Sequence, residues 1–444
     1  MPLPRRALVL GFSSTGQAVA RVLAPRGVHV RVGDRRTAEA LRIDPAAWPG
    51  VELRLGEDAP ALLADVDLVV PSPGVPRAAP VLVAAVARGI AVESEVEVAA
   101  GLLACPIVAI TGTNGKSTTT TLVGAALVRA GRRTFTGGNL GTPLVLAADA
   151  RPDVAVAEIS TFQLEWARRF RPAVGCLLNV TPDHLDRHAS FAEYRDLKAR
   201  LFAAQQASDW AVLNRDDPET WSLRDRIAAR VVSFGWGEVA EGAFVAGDAV
   251  VLRLPGAAEE RYPLGRTRLA GRHNVENIAA AATVARLAGA PPSAVQEAID
   301  TTEPLPHRLA LVTERRGVRW FDDSKATNVG AAVKSLESFP GPVVLLAGGL
   351  DKGGDYGPLV RAARGKVRLA LVFGAARELI ARAFAAGDVP VERVETLAAA
   401  VTRAASASEP GDTILLAPAC ASFDQFADYK ARGRAFRATV EALP

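Results

Sequence analysis

Lysine is scarce in this chain: of 52 basic residues in 444, seven are lysine and the rest arginine. Arginine cannot lose its proton at working pH, so Lys116, Lys198, Lys325, Lys334, Lys352, Lys366 and Lys430 are positions where an amine is a candidate for chemistry. Cysteine is scarcer. Cys105, Cys176 and Cys420 are scattered, odd in number and lack metal-ligand spacing, which excludes a disulfide scaffold or a thiolate zinc site and fits a reducing cytoplasm. Although 49% of residues are hydrophobic, no apolar run approaches the ~20 residues that cross a bilayer. The apolar stretch 7–10 is too short for a signal peptide and runs straight into a glycine turn. A soluble cytoplasmic protein without membrane insertion is the expectation. The formal net charge is only +4, and no basic block interleaves with aromatics, so nucleic acid is not an expected partner.

What is present is more specific. Residues 111–118 read T-G-T-N-G-K-S-T and join an apolar strand (106–110) to a helix (117–129) through a loop of small residues. Such a loop turns backbone N–H groups onto an anion, and the helix N-terminus adds partial positive charge. Gly112, Thr113, Asn114, Gly115 and Thr118 would form the cradle, Lys116 would reach terminal phosphates, and the Ser117 hydroxyl would ligate Mg²⁺. The pattern departs from strict G-x-x-x-x-G-K-[ST], because Ile110 stands where the first glycine would fall. A nucleoside triphosphate is the expected ligand.

A chain of this length is too long for one core and suggests about three domains. We place them at 1–96, 97–303 and 304–444. The first opens as strand (7–10), glycine turn, helix (17–26) and strand (28–32), a nucleotide-type βαβ start in which Ser13 replaces the middle glycine and Asp34 sits where a ribose-binding acid would. Strands follow at 67–70 and 90–92, then a linking helix at 93–103. The second alternates strands (154–159, 174–180) and helices (191–206), which implies a mainly parallel sheet. The third follows the stiff P-L-P-H-R connector at 304–308 and carries strands at 343–347, 369–373 and 413–417. The fold class is therefore α/β in three parts: a Rossmann-like first domain, a central P-loop-type ATPase and a Rossmann-like third domain.

Glu158 ends an apolar strand where P-loop folds place a Mg²⁺-binding acid, and a buried unpaired carboxylate there would be costly without a metal. The segment N-V-T-P-D-H-L-D-R-H (179–188) holds two of only five histidines, and His184 is a candidate metal ligand. Tyr194 and Lys198 stand four residues apart on one helical face.

The ordered set T-G-T-N-G-K-S-T, G-G-N-L-G-T-P (137–143), E-I-S-T-F-Q-L-E (158–165), N-V-T-P-D-H-L-D-R-H, G-R-H-N-V-E-N (271–277), P-H-R, D-D-S-K-A-T-N (322–328), G-G-L-D-K (348–352) and P-A-C-A-S-F-D-Q-F (418–426) resembles the Mur ligase family over essentially the whole chain, in its D-glutamate-adding branch. The loop is also similar to that of the folylpolyglutamate synthetases. The resemblance implies ATP-dependent formation of an amide between UDP-N-acetylmuramoyl-L-alanine and D-glutamate through an acyl phosphate, in peptidoglycan precursor synthesis. A related muropeptide ligase taking L-glutamate or another amino acid is the alternative.

The resemblance further implies that Ser14, Thr15, Asp34, Arg35 and Gly74 hold the uridine nucleotide and Asn139 the sugar or its linker. Asn277, Arg308 and Asp323 would hold ATP. Lys325, Thr327, Lys352, Ser422 and Phe426 would line the glutamate pocket. Lys116, Glu158, His184 and Lys198 would be catalytic. Two Mg²⁺ sites would draw on Ser117, Glu158, His184 and Lys198, the last as a carbamate. The partners would be small molecules acting on a monomer. A nucleotide-driven switch needs neither the first-domain turn nor the D-D-S-K-A-T-N run, and an NAD-dependent oxidoreductase would rest on the weakened turn alone.

Overall fold

The computed structural model describes residues 3–184, 187–269 and 271–443. Leu185 and Asp186, which fall within the 179–188 motif, lie outside the described residues, as do the chain's terminal positions 1, 2 and 444 and Ala270. Three sheets follow one another along the chain. The first is wholly parallel, in the order β3-β2-β1-β4-β5, built from β1 (Arg6–Leu10), β2 (His29–Asp34), β3 (Val51–Leu55), β4 (Leu68–Pro71) and β5 (Ala91–Val92). The second has nine strands: β6 (Ile107–Thr111), β7 (Thr134–Gly138), β8 (Val154–Glu158), β9 (Val174–Leu177), β10 (Trp210–Asn214), β11 (Arg230–Gly235), β12 (Gly242–Ala246), β13 (Ala249–Arg253) and β14 (Glu260–Pro263). Its order is β14-β13-β12-β11-β10-β9-β6-β8-β7, and only β13 and β14 run antiparallel to their neighbours.

The third sheet comprises β15 (Ala310–Arg315), β16 (Val318–Asp322), β17 (Val343–Gly348), β18 (Val367–Phe373), β19 (Val391–Arg393) and β20 (Thr413–Leu416), ordered β15-β16-β20-β17-β18-β19. It is parallel except for the β15–β16 pair. Central strands such as V-V-L-L-A-G (β17) are buried along their whole length, as expected of strands covered by helices on both faces.

Two registers position the site. Ile110 of β6 pairs with Glu158 of β8, so the phosphate loop leaves the sheet beside that carboxylate. In the third sheet Leu416 pairs with both Asp322 and Leu346, which brings the loops after β16, β20 and β17 to one edge. Ligands of open parallel sheets sit at such carboxyl ends.

Some expected bounds shift for local reasons. The strand read as 174–180 stops at Leu177, because the next residues hold the phosphate loop: the Thr113 N–H donates to the Asn179 carbonyl (2.9 Å) and the Asn114 N–H to the Asn179 side chain (2.8 Å). The helix read as 191–206 ends at Ala199 and a 3₁₀ turn, Arg200–Phe202. Beyond it the Gln205 amide donates to the carbonyls of Pro172 and Trp210, both at 2.9 Å, and turns the chain into β10.

Candidate active site

The phosphate loop begins at Gly112 and enters helix Lys116–Arg129. Gly115 has φ +87°, and a Cβ there would lie 2.2 Å from Oδ1 of Asn277, so only glycine lets the helix Arg272–Leu287 close on the loop. Lys116 Nζ donates to the carbonyls of Gly112 (2.9 Å) and Thr113 (2.8 Å). Burial foremost lowers its pKa, and the nearby Glu158 and Asp183 carboxylates oppose that.

Ser117 Oγ donates to Glu158 (2.6 Å), and the Asn139 amide donates to the other Glu158 oxygen (2.6 Å). Burial would raise the Glu158 carboxyl, but Lys116, these two hydrogen bonds and Arg308 hold it below the usual carboxylate range. It is therefore an anion at neutral pH. Arg308 crosses from the third unit to donate to Ser117 Oγ (2.8 Å).

Lys198 is buried, not on a solvated helix face. Its ammonium donates to the Gly112 carbonyl (2.9 Å) and lies 4.5 Å from the Tyr194 ring centroid. Burial, then the Lys116 charge, drives its pKa well below the ordinary value. His184, at φ +55°, stands 3.7 Å from Asp183. A residue other than Gly or Asn in the left-handed region stores strain that surrounding contacts must hold.

Two clefts share this centre. One, about 1360 Å³, runs along the carboxyl ends of β1, β2 and β4 and is lined by Ser14, Thr15, Asp34, Arg35 and Gly74. The other, about 1400 Å³, holds the phosphate loop, His184, Lys198, Asn277, Asp323, Thr327 and Lys352. Ser117, Asn139, Glu158, Leu305, Arg308 and Lys325 line both. They form the seam where a group from one cleft meets a group from the other.

In the first cleft Asp34 accepts from the Phe12 N–H (2.7 Å) and pairs with Arg36 (2.8 Å). Burial opposes ionisation, but Arg36 and these N–H groups hold its carboxyl low. Arg35 is exposed and stands 3.8 Å from Asp58, so Arg36, which the sequence reading omitted, makes the closer contact with the glycine turn.

In the second cleft Asp323 is buried, accepts from Ser335 Oγ, and is pushed up to about 6 by burial. Lys325 lies 4.0 Å from the Tyr429 ring centroid, and burial, then Arg308, pushes it down to about 7. Lys352 pairs with Asp183 (3.3 Å), and Asn328 donates to Asp183 (3.0 Å) and to Asn114 (3.3 Å). Asp183 and Asn328 were not among the expected site residues, although both lie inside motifs.

Ser422 and Phe426 line neither cleft. Phe426 packs against the apolar cluster around Trp320 and Phe436. Tyr429, three residues on, lines the first cleft instead.

For a metal, no group of three or more His, Cys, Asp or Glu side chains able to hold an ion occurs among the described residues. Mg²⁺ carried on a nucleotide takes one or two carboxylates and completes its octahedron with phosphate oxygens and water. The Ser117–Glu158 pair is such a partial donor set.

Phosphate cradle, ionised acid and paired clefts define an ATP-dependent ligase architecture, and comparison makes the class definite. Residues 5–94 match the Mur ligase MurD-like N-terminal domain, 110–285 the Mur ligase middle domain and 307–420 the Mur ligase glutamate ligase domain. The chain belongs to the Mur ligase family.

It is 45% identical to a UDP-N-acetylmuramoylalanine–D-glutamate ligase of Geobacter metallireducens, over 99% of this chain and 98% of that protein. It is 47% identical to the ligase of the same name from Anaeromyxobacter dehalogenans, over 97% and 96%. Among solved structures, the UDP-N-acetylmuramate-alanine ligase of Thermotoga maritima matches with a TM-score of 0.61 at 18% identity, covering 99% of this chain and 100% of that one. A folylpolyglutamate synthase from Mycobacterium tuberculosis matches with 0.59 at 18% identity, covering 78% and 94%. These two likenesses establish a common fold. No helix among the described residues is long and apolar enough to cross a membrane.

Proposed function

We propose that this chain joins D-glutamate to UDP-N-acetylmuramoyl-L-alanine at the expense of ATP, as a monomeric cytoplasmic ligase of peptidoglycan precursor synthesis. The observation that carries the reading is the shared strip of Ser117, Asn139, Glu158, Arg308 and Lys325, lining a cleft with a nucleotide-type turn on one side and a phosphate cradle on the other. Near 45% identity over full length to proteins bearing that name supports it.

A carboxylate is a poor electrophile, so its oxygen must first become a leaving group. In this reading the alanyl carboxylate attacks the γ-phosphorus of ATP, the bond to ADP breaks, and an acyl phosphate results. The glutamate amine, having lost its proton, then attacks the acyl carbon, and the C–O bond breaks to release phosphate.

The first step drives two anions together. Lys116 and Arg308 supply fixed positive charge at the phosphoryl group, where preorganised charge stabilises the transition state most. Mg²⁺ bound by Ser117 and Glu158, with a second ion near His184 and Lys198, would neutralise the remaining phosphate charge. Asn277, Asp323 and the cradle residues hold ATP; Ser14, Thr15, Asp34, Arg35, Gly74 and Asn139 hold the UDP substrate. Thr327, Lys352, Lys325 and the loop that Ser422 begins serve the amino acid, whereas Phe426, packed in the apolar cluster around Trp320 and Phe436, does not reach it.

Lys198 enters this scheme as a carbamate. Its neutral nitrogen adds to the carbon of CO₂ and loses a proton, so that a neutral amine becomes an anion that would hold or orient a metal. Burial that disfavours the ammonium supports this. Lys198→Arg should then be nearly inactive although charge is kept, and Lys198→Ala should be partly restored by a small carboxylic acid. Full activity of the arginine variant contradicts the carbamate.

The test of the whole reading is phosphate release by the purified protein, expected only when Mg²⁺, ATP, UDP-N-acetylmuramoyl-L-alanine and D-glutamate are all present. Equal release without the amino acid, or equal turnover of L-glutamate, overturns it.

A further inference from the structure

The scheme above leaves unused the largest fully buried side chain among the described residues, Arg432. It sits on helix Tyr429–Glu441, whose N-terminus is capped by Asp428 accepting from the Ala431 N–H. Its guanidinium points into the carboxyl-end edge of the third sheet. Nε donates to Ser324 Oγ (3.0 Å), and one terminal nitrogen donates to the Ser324 carbonyl (2.8 Å). The other donates to the carbonyls of Cys420 (3.1 Å), Ala421 (3.2 Å) and Gly348 (3.4 Å).

These acceptors belong to three separate loops. Ser324 follows β16 and precedes Lys325 and Thr327; Gly348 ends β17 and precedes Lys352; Cys420 and Ala421 follow β20 and precede Ser422. The loops also touch one another: Leu350 and Ala421 form a bridge, and the Ala419 N–H donates to the Ala326 carbonyl (2.9 Å). At Gly349, φ +133°, a Cβ would meet the Ala421 carbonyl at 2.1 Å, so the loops are as close as backbone permits.

A buried cation held by a hydroxyl and four neutral carbonyls costs stability relative to an apolar residue of similar size. What it supplies is geometry. A planar guanidinium offers five donors in fixed directions, whereas an ammonium offers three on a flexible stem and cannot reach all three loops.

We propose that Arg432 is the positioning residue of the amino-acid pocket, fixing the three loops that carry Lys325, Thr327, Lys352 and Ser422 relative to one another. The inference rests on the functional reading above, in which those residues serve D-glutamate. Arg432 lines neither cleft, so it acts through the loops.

The test is phosphate release by wild type, Arg432→Lys and Ser324→Ala, with each of the three substrates varied in turn and Tm recorded. Misplacing a site by ~1 Å costs up to about 10²-fold. In Arg432→Lys, KM for D-glutamate should rise by about tenfold or more, while KM for ATP and for the UDP substrate stay within roughly twofold. Ser324→Ala, which removes one side-chain acceptor, should move the same constant less and keeps the test open should Arg432→Lys fail to fold. An unchanged KM for D-glutamate in a folded variant, or a common rise in all three constants, overturns the proposal. A wild type that needs no D-glutamate overturns the functional reading and this inference with it. A wild type that needs it, with variants that do not shift, overturns the inference alone.

Discussion

The first and central units share one apolar core, whereas the central and third units meet through polar side chains. A single cluster runs from Val19, Val22 and Val30 of the first sheet and its helix to Leu144, Val145 and Phe170 of the central unit. Buried Glu95 accepts from the Val145 N–H (2.6 Å) across the same junction. Both clusters flanking the third sheet, by contrast, are built from residues 309–443 alone. That unit reaches the centre through Arg308 on Ser117, Asn328 on Asn114 and Asp183, and Lys352 on Asp183.

A shared core behaves as one body, because separating it exposes apolar surface at ~25 cal/mol per Å². Polar pairs across a cleft exchange for water at modest net cost, each worth ~0.5–1.5 kcal/mol, or ~1.5–3 where a charge takes part. The contrast predicts a fixed half carrying the UDP cleft and the phosphate loop, and a third unit that opens and closes on it. Closure would exclude water from an acyl phosphate.

The largest effect should come from the fixed half. Lys116→Ala is expected to lower turnover at least ~10²- to 10³-fold, the worth of one preorganised donor at the moving charge. Steady-state phosphate release measures it, and near-normal turnover would put the chemistry somewhere other than the seam.

Next in size is the difference between the junctions themselves. Leu144→Ala removes a fully buried side chain from the shared core and should cost ~2–5 kcal/mol of unfolding free energy. Asn328→Ala at the polar junction, which also removes the N-cap of helix Val329–Glu337, should cost less, ~1–2 kcal/mol, while changing KM for the amino acid. Equal losses in chemical denaturation would erase the distinction.

A smaller, pH-dependent effect sharpens the same comparison. Burial raises the Glu95 carboxyl from 4.5 to about 7, against the Val145 and Gln163 hydrogen bonds. Its folded pKa lies above its unfolded one, so the stability it contributes is complete below about pH 4.5 and is lost as pH rises through about 7. Wild type should lose stability relative to Glu95→Gln across that window, measured as Tm against pH. Parallel curves would mean that Glu95 titrates normally.

Much of this was legible in the sequence, and the omissions have a pattern. The phosphate loop, Glu158 and the loops after β16, β17 and β20 are local motifs at strand ends, so the letters alone locate them. The β12–β13 hairpin was missed although Gly247-Asp248 is a turn signal between two short apolar runs, and β15–β16 was missed although Arg316-Gly317 closes it. Site residues were missed where side-chain direction decides. Arg36 rather than Arg35 turns onto Asp34, Tyr429 rather than Phe426 reaches a cleft, and Asp183 matters because Asn328 and Lys352 arrive from 145 and 169 residues away. Sequence spacing carries no information about such meetings.

The most direct measurement is of distances in solution. Spin labels on exposed Asp65, Asp248 and Arg382, one in each unit, read by pulsed electron resonance with and without ATP, Mg²⁺ and UDP-N-acetylmuramoyl-L-alanine, separate the two junctions. The prediction is an Asp65–Asp248 distance that stays fixed and an Asp248–Arg382 distance that shortens or narrows on adding substrates. A substrate-dependent change between Asp65 and Asp248, with the Asp248–Arg382 distance constant, would contradict it.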